Sequence, residues 1–381
     1  MAVYKIFPYK DTTLYSQYPS MSAGLDAISE VTNKTGVDGN PDVSRFITQF
    51  DATEISTVID DYIGDKEWDV NFRNFISDAY GITTEAFLEI FPLAQEWNNG
   101  TGEYLDSPIT TNGASWNKAT FAGGTSWLES GSVGTELYTS SYDAQYSPQG
   151  GGNWFYSGSN VPSYRVTQSF DLRSDKDLNV GVKTIVESWY SSSIPNYGFI
   201  TKWNSDIEFS TNLSTQPVMK YYSVDTNTIY PPQLEFKWRD YTTILSGSES
   251  TIVSNPNIKM SLAENPGVFY KGSKNRFRLN ISPMYPVRTF QTSSFYLSKN
   301  YLPTESYYAI KDLDTNEYLV DFDTQYTQIS ADSNSNYFDI YMDGLQPERY
   351  YEILIKTNID GSTRIYNDNY YFKVINGWAK I

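Results

Sequence analysis

From residue 233 onward the chain breaks into short runs that alternate apolar and polar residues: QLEFKW, NIKMSL, NRFRLNI, SYYAIKD, EYLVDFD, YFDIYMD, YYEILIKT and DNYYFKVI. Turn formers separate them: DTNE at 314–317, GLQPE at 344–348, and Asp360-Gly361 inside ILIKTNIDGSTRIY. A period of two sends successive side chains to opposite faces, so each run has one face to bury. Asp-Gly is a strong hairpin signal because the tight two-residue turn needs positive φ at both central positions. Strands that recur every 8–12 residues or so predict two packed antiparallel sheets. The 33 Tyr, 20 Phe and 9 Trp support this, since large flat side chains suit a half-buried pleated surface.

The first 225 residues are less regular. VYKIFPY (3–9) and SRFITQF (44–50) read as strands, with the turn-rich GVDGNPD (36–42) between them. Ile55, Val58, Ile59, Tyr62 and Ile63 recur at helical spacing, with Asp51 or Thr53 as cap and Gly64 as stop. A second helix is expected around Val70, Phe72, Phe75 and Ile76, and a strand at 84–92. Residues 98–160 are rich in Gly, Ser, Asn and Thr, which suggests loops. Trp97, Trp116, Trp127 and Trp154 are costly to leave in water, so these loops should be pinned by buried rings. YRVTQSFD (164–171) is a strand, VGVKTIVESWY (180–190) a short helix, and YGFITKW and VMKYYSV are strands again. Pro231-Pro232 in DTNTIYPP stiffens a boundary at 226–232.

The chain has neither Cys nor His. Disulfides, Cys nucleophiles, His-based triads and zinc-His sites are therefore excluded. A net charge of −17 opposes binding to nucleic acid or an anionic membrane. No apolar run approaches a membrane-helix length of about 20 residues, and MAVYKIFPYKD lacks the apolar stretch of a signal peptide. Synthesis in a cytoplasm is expected. Acid–base chemistry would fall to a carboxylate pair, as in glycoside hydrolases. Glu85, Glu89, Glu96, Glu103, Glu129 and Glu187 are available, and none stands in a distinctive context. No cofactor is expected. Calcium is the one metal the composition suits, because it takes oxygen ligands. Its candidate ligands are Asp312 and Asp314 in KDLDTNE and Asp321 and Asp323 in VDFDTQ. The competing reading is polar residues flanking turns, and no stretch matches an EF-hand loop.

Two resemblances sharpen the picture. Asp11–Tyr15, Pro19, Gly24 and the run Ser44–Asp51 are similar to the start of DNRLRE-type jelly-roll domains. Trp97 and Ala114-Ser115-Trp116-Asn117 are similar to that family's central segment. Phe170-Asp171, Val182–Trp189 and Asn196-Tyr197-Gly198-Phe199-Ile200 resemble its closing run. This implies a jelly-roll β-sandwich over 1–225, in which Trp189 plugs the core and Gly198 permits a turn; the helical insertion expected near 52–80 departs from the family. Across nearly its whole length the chain also resembles virion structural proteins of marine T4-like tailed phages. MAVYKIFPYKDTTLYSQYPSMSAGLD, DTNTIYPPQLEFKW, ENPGVFY and GLQPERYYEILIKT carry that likeness.

The expected organisation is thus mainly β: a jelly roll, a linker at 226–232, and an immunoglobulin/fibronectin-like sandwich over 233–381. The resemblance implies a non-enzymatic tail, neck or capsid-surface component that contacts other virion proteins in an oligomeric assembly. The alternative is a module that contacts a host surface glycan. Contact candidates are Trp154, Phe155 and Tyr156 in the Gly-rich loop, with Tyr296, Tyr301, Tyr307 and Tyr308, against the reading that each simply packs internally.

Overall fold

The computed structural model describes residues 2–36, 41–82, 85–127, 137–138, 150–158, 160–208, 210, 216–245, 250–263, 265–285 and 299–377. The protein is mainly β, with 46% strand and 8% helix, as its alternating runs require. It divides into two compact units. The N-terminal unit holds Ile6–Tyr62 and Val70–Glu235; the C-terminal unit holds Met1–Lys5, Ile63–Asp69 and Phe236–Ile381. The two short segments assigned to the C-terminal unit lie within the first 225 residues.

The main sheet of the N-terminal unit has eight strands. Their order is Val166–Phe170, Ala86–Pro92, Phe199–Trp203, Pro41–Gln49, Ile28–Thr35, Val218–Tyr222 and Ile76–Tyr80, with Lys10–Tyr15 also paired to Pro41–Gln49. Ile200 sits opposite both Ile47 and Phe91, and all three are buried. The predicted helical face at 55–63 is present: Ile55, Val58, Ile59 and Ile63 are buried. An α-helix over Ala52–Thr57 widens into π turns over Val58–Ile63. The Asp51 carboxylate accepts from the amides of Thr53 and Glu54 at 2.6 and 3.1 Å, satisfying two open N–H groups of the first turn. Gly64, at φ +57°, leads the chain out of the helix.

The second predicted helix is a strand, Trp68–Asn74. Val70, Phe72 and Asn74 are buried and alternate with less buried neighbours, a period of two. Phe75 and Ile76 suggested a helical spacing only because a second strand, Ile76–Tyr80, begins there. Similarly, Leu178–Gly181 is a strand that pairs with Asn71–Asn74, and the helix starts after it, at Lys183–Tyr190. That helix buries Trp189, whose ring centroid lies 4.6 Å from Phe199, which in turn stacks on Phe72 at 4.8 Å. Gly198 has φ +92°, and a Cβ there would sit 2.2 Å from the Thr48 carbonyl oxygen. Only glycine lets the chain pass the neighbouring strand at this corner.

The pinned-loop expectation holds for the described part of 98–160. Trp97, Trp116, Trp127 and Trp154 are all buried. The Trp97 and Trp127 indole N–H groups donate to the carbonyls of Tyr197 and Ser115, both at 2.9 Å.

The C-terminal unit is a two-sheet sandwich. One sheet runs Ser250–Ile252, Lys299–Tyr301, Lys274–Pro283, Asn336–Tyr341 and Ser330–Ala331, with Ile258–Ala263 paired to Lys274–Pro283. The other runs Val268–Tyr270, Ser362–Ile375, Arg349–Ile359, Ser306–Asp312 and Tyr318–Val320. Met260, Phe277, Leu279 and Phe338 of the first sheet meet Tyr308, Ile353, Ile355 and Phe372 of the second in one core. Phe338 stacks on Phe277 at 5.7 Å and on Tyr308 at 4.4 Å. The Asp360-Gly361 turn has φ +51° and +75°, the two positive values its sequence predicts.

Candidate functional site

Four of the seven predicted contact aromatics are internal. Trp154 is fully buried, and Phe155, Tyr301 and Tyr308 expose no more than 8% of their surface. They are corrected from contact residues to core residues. Trp154 stacks on Phe91 at 5.7 Å, and Tyr308 on Phe338. The Gly-rich loop around Trp154 is folded inward, and its polar composition hid that. Tyr156 is half-buried beside Phe91. Tyr296 lies outside the described residues. Tyr307 remains partly exposed, on the outer face of the five-stranded sheet.

That outer face carries several partly exposed aromatic rings. On Ser306–Asp312, Tyr308 and Ile310 point into the core, so Tyr307, Ala309 and Lys311 point out. On Arg349–Ile359, Tyr351, Ile353 and Ile355 are inward, so Tyr350, Glu352, Leu354 and Lys356 are outward. Cross-strand register then sets Tyr307 beside Lys356, Lys311 beside Glu352 and Tyr318, and Tyr350 beside Lys373. The ammonium groups rest over neighbouring rings: Lys356 over Phe322 at 4.7 Å and Tyr307 at 5.5 Å, Lys373 over Tyr350 at 5.7 Å, Lys311 over Tyr318 at 5.9 Å. Tyr350 and Ile365 keep about half their surface in water, at 50% and 54%. Three lysines meet two glutamates here, Glu352 across from Lys311 and Glu348 paired with Lys373 at 2.5 Å, so the face interleaves both signs of charge with its rings.

A second feature was not foreseen from sequence. In the N-terminal unit Arg45 and Glu208 are both fully buried and paired through two bonds, Nε to Oε1 at 2.7 Å and Nη2 to Oε2 at 3.1 Å. Lys202, also buried, lies 3.0 Å from Glu208 and 3.5 Å from Glu89. Arg45 Nη1 donates to the Gly151 carbonyl at 2.8 Å, and the guanidinium sits over the Trp116 and Trp154 rings at 4.9 and 5.3 Å. A Cβ on Gly151 would lie 2.7 Å from the Trp116 ring and 2.8 Å from Arg45 Nη1. The glycines therefore let the backbone close over the guanidinium. Burial alone would raise the Glu208 pKa, but the Arg45 and Lys202 charges outweigh it and hold the carboxylate below its ordinary range. The pair Glu89 and Glu208 is thus bridged by cations and Glu208 has no surface exposure, so this carboxylate pair has no route to a substrate. The one sequence signal was Lys202, a charge inside a strand otherwise made for burial, FITKW.

Three of the four aspartates proposed for calcium accept backbone amides in their own turns. Asp312 receives Arg349 Nε at 2.6 Å and Nη2 at 2.7 Å, and its Oδ1 also accepts from the amides of Asp314 and Thr315. Burial pushes its pKa up, but Arg349 and these amides bring it below the ordinary carboxylate value. Asp323 Oδ1 accepts from the amides of Gln325 and Tyr326, and Asp321 Oδ1 from Phe322. These aspartates serve turns and an ion pair. Among the described residues, no group of three or more acidic side chains is placed to hold a metal, and no helix is long and apolar enough to cross a membrane.

The fold defines a mainly β protein of the β-sandwich class. No protein-family model matches the chain, and no curated protein does either. Among solved structures, a DUF4785 family protein from Legionella pneumophila aligns at 8% identity with a TM-score of 0.17. The alignment covers 98% of this chain and 62% of that one. So low a score carries no argument about shared fold or activity.

Proposed function

We propose that the chain is a non-enzymatic structural component of a tailed-phage virion, at the tail, neck or capsid surface, acting through protein–protein contacts. The observation that carries this reading is the outer face of the five-stranded sheet, with Tyr307, Tyr318, Tyr350 and Ile365 beside Lys311, Lys356 and Lys373. Tyrosine gives large contact area for little conformational entropy, and lysines whose heads already rest on rings are partly ordered before docking. The interleaved lysines and glutamates suit a neighbour of complementary charge pattern, either another copy of this chain or another virion protein. The jelly-roll and immunoglobulin-like labels, and the whole-chain resemblance to marine phage structural proteins, belong to the same proposal.

The test is incorporation. Virions from infected host cells, banded on a density gradient, are expected to carry the chain at fixed stoichiometry. A double Tyr350→Ser, Ile365→Ser variant should keep its far-UV circular dichroism and drop out of the particles at least tenfold. Bands free of the wild-type chain would overturn the virion reading, and full incorporation of the variant would overturn the assignment of this face.

A further inference from the structure

We propose that the C-terminal unit carries a binding site for the terminal ring of a neutral glycan, separate from the assembly face. The site is an open cleft of about 200 Å³ at one end of the six-stranded sheet. Its walls combine an exposed aromatic ring, Tyr285, at 80% exposure, and the aliphatic Ile252 and Ile258 with three side-chain amides, Asn255, Asn257 and Asn300. A sugar presents an apolar C–H face and a rim of vicinal hydroxyls. A phenol ring covers the first, and amides, which both donate and accept, match the second. Among the described residues that line the cleft none is charged, in a chain with 28 Lys and Arg and 45 Asp and Glu. An uncharged wall favours an uncharged ligand over phosphate, sialic acid or a basic peptide. With no carboxylate among the described residues of that wall, the cleft holds a sugar without cleaving it.

The rim is organised in advance. Asn255 Oδ1 accepts from the Asn257 amide at 2.9 Å. The Pro256 carbonyl receives the Tyr366 hydroxyl at 2.8 Å, and the Asn257 carbonyl receives the Met284 amide at 2.8 Å. The 255–257 turn is thus tied to itself, to the opposite sheet and to the strand that ends next to Tyr285. Asn300 sits opposite Ile281 on a paired strand. Polar groups fixed before binding lose little entropy when a ligand arrives. Shallow clefts of this size bind weakly one at a time, and many copies in one particle would multiply the effect.

The probe is an array of neutral hexose and N-acetylhexosamine oligosaccharides, read with the purified full-length chain, with hits measured by calorimetry. Binding in the millimolar to high-micromolar range is expected. Tyr285→Ala should weaken it at least tenfold, and Asn257→Ala and Asn300→Ala several-fold each, with unchanged circular dichroism because all three side chains reach solvent. The Tyr350→Ser, Ile365→Ser variant should bind the glycan as wild type does, so the cleft can fail while the assembly reading stands, and the reverse. No neutral glycan bound at millimolar concentration, a preference for acidic glycans, or equal binding by Tyr285→Ala would each overturn the proposal.

Discussion

The two units solve the same problem, closing large aromatic sheets, with opposite uses of charge. The C-terminal sandwich pairs its buried aspartates, Asp312 and Asp339, with side chains 1% and 3% exposed, to arginines that reach solvent, so each of these ion pairs keeps one partner at the surface. Arg278–Asp332 has side chains 20% and 25% exposed, and Arg276–Asp339 has its arginine 44% exposed. The N-terminal unit instead buries Arg45, Lys202 and Glu208 at its centre and closes Gly151, Trp116 and Trp154 over them. An apolar core is held by area and tolerates imperfect geometry. A buried ion cluster is held by geometry, since each charge is costly unless its partner is in place. The difference teaches where each unit is fragile.

The sharpest way to break the comparison is Arg45→Met. It leaves Glu208 buried with only Lys202, and should cost about 3–5 kcal/mol. Six of the nine tryptophans lie in this unit, so denaturant titration followed by tryptophan fluorescence reports it directly. If the midpoint is unchanged, the cluster contributes no more than the marginal pairs of the other unit. The paired change Arg45→Met, Glu208→Leu should recover part of the loss, because it removes the orphaned carboxylate while Lys202 keeps Glu89 at 3.5 Å.

A smaller effect comes from a buried carboxyl group in the same unit. Asp11 is 1% exposed, and its only partner among the described groups is the Val224 amide at 2.8 Å. Burial, with Asp225 and Asp26 nearby, pushes its pKa up to about 8 despite that hydrogen bond. The folded protein therefore holds Asp11 protonated at neutral pH, whereas the unfolded chain ionises it near pH 4. With the folded value raised, this group's contribution is fully present below about pH 4, falls as pH rises, and is gone above about pH 8. Asp11→Asn removes the titration. Its unfolding free energy, measured by denaturant titration, should exceed that of wild type at pH 8 by an amount on the order of a few kcal/mol, and match it at about pH 3.5. Equal shifts at both pH values would mean that Asp11 is ionised in the fold.

This contrast also explains what the sequence disclosed. The sandwich was legible because its information is local: alternation in YYEILIKT and SYYAIKD, and Asp-Gly at 360–361, each fix a feature within a few residues. The capped helix after Asp51, the glycine corner at 198 and the buried loop tryptophans were legible for the same reason. The Arg45 cluster was not, since its members are 163 residues apart and a charged residue in a strand reads as solvent-facing until the fold is known. The contact aromatics failed similarly. Tyr307 and Tyr308 are adjacent and chemically identical, and only the register of Ser306–Asp312 decides that one faces outward and the other inward. The amides of the glycan cleft come from a loop at 255–257 and a strand at 299–301, and no local pattern joins them.

The smallest expected effect completes the comparison from the other side. Arg278 donates to both oxygens of Asp332, at 3.0 and 2.9 Å, and to the Ser335 hydroxyl at 3.2 Å. Asp332 is held down to about 2, first by Arg278 and then by the amides of Asn334 and Ser335 that oppose its partial burial. Its contribution is present above about pH 4 and is lost as pH falls toward 2. Arg278→Met leaves Asp332 with those two amides and with water, so the loss should be about 1 kcal/mol or less at neutral pH. The same variant should flatten the acid limb of the stability profile, measured by denaturant titration between pH 2.5 and 7. A cost equal to that of Arg45→Met would show that ion pairs at the margin of the C-terminal sandwich are as critical as the buried cluster, and the distinction between the two units would collapse.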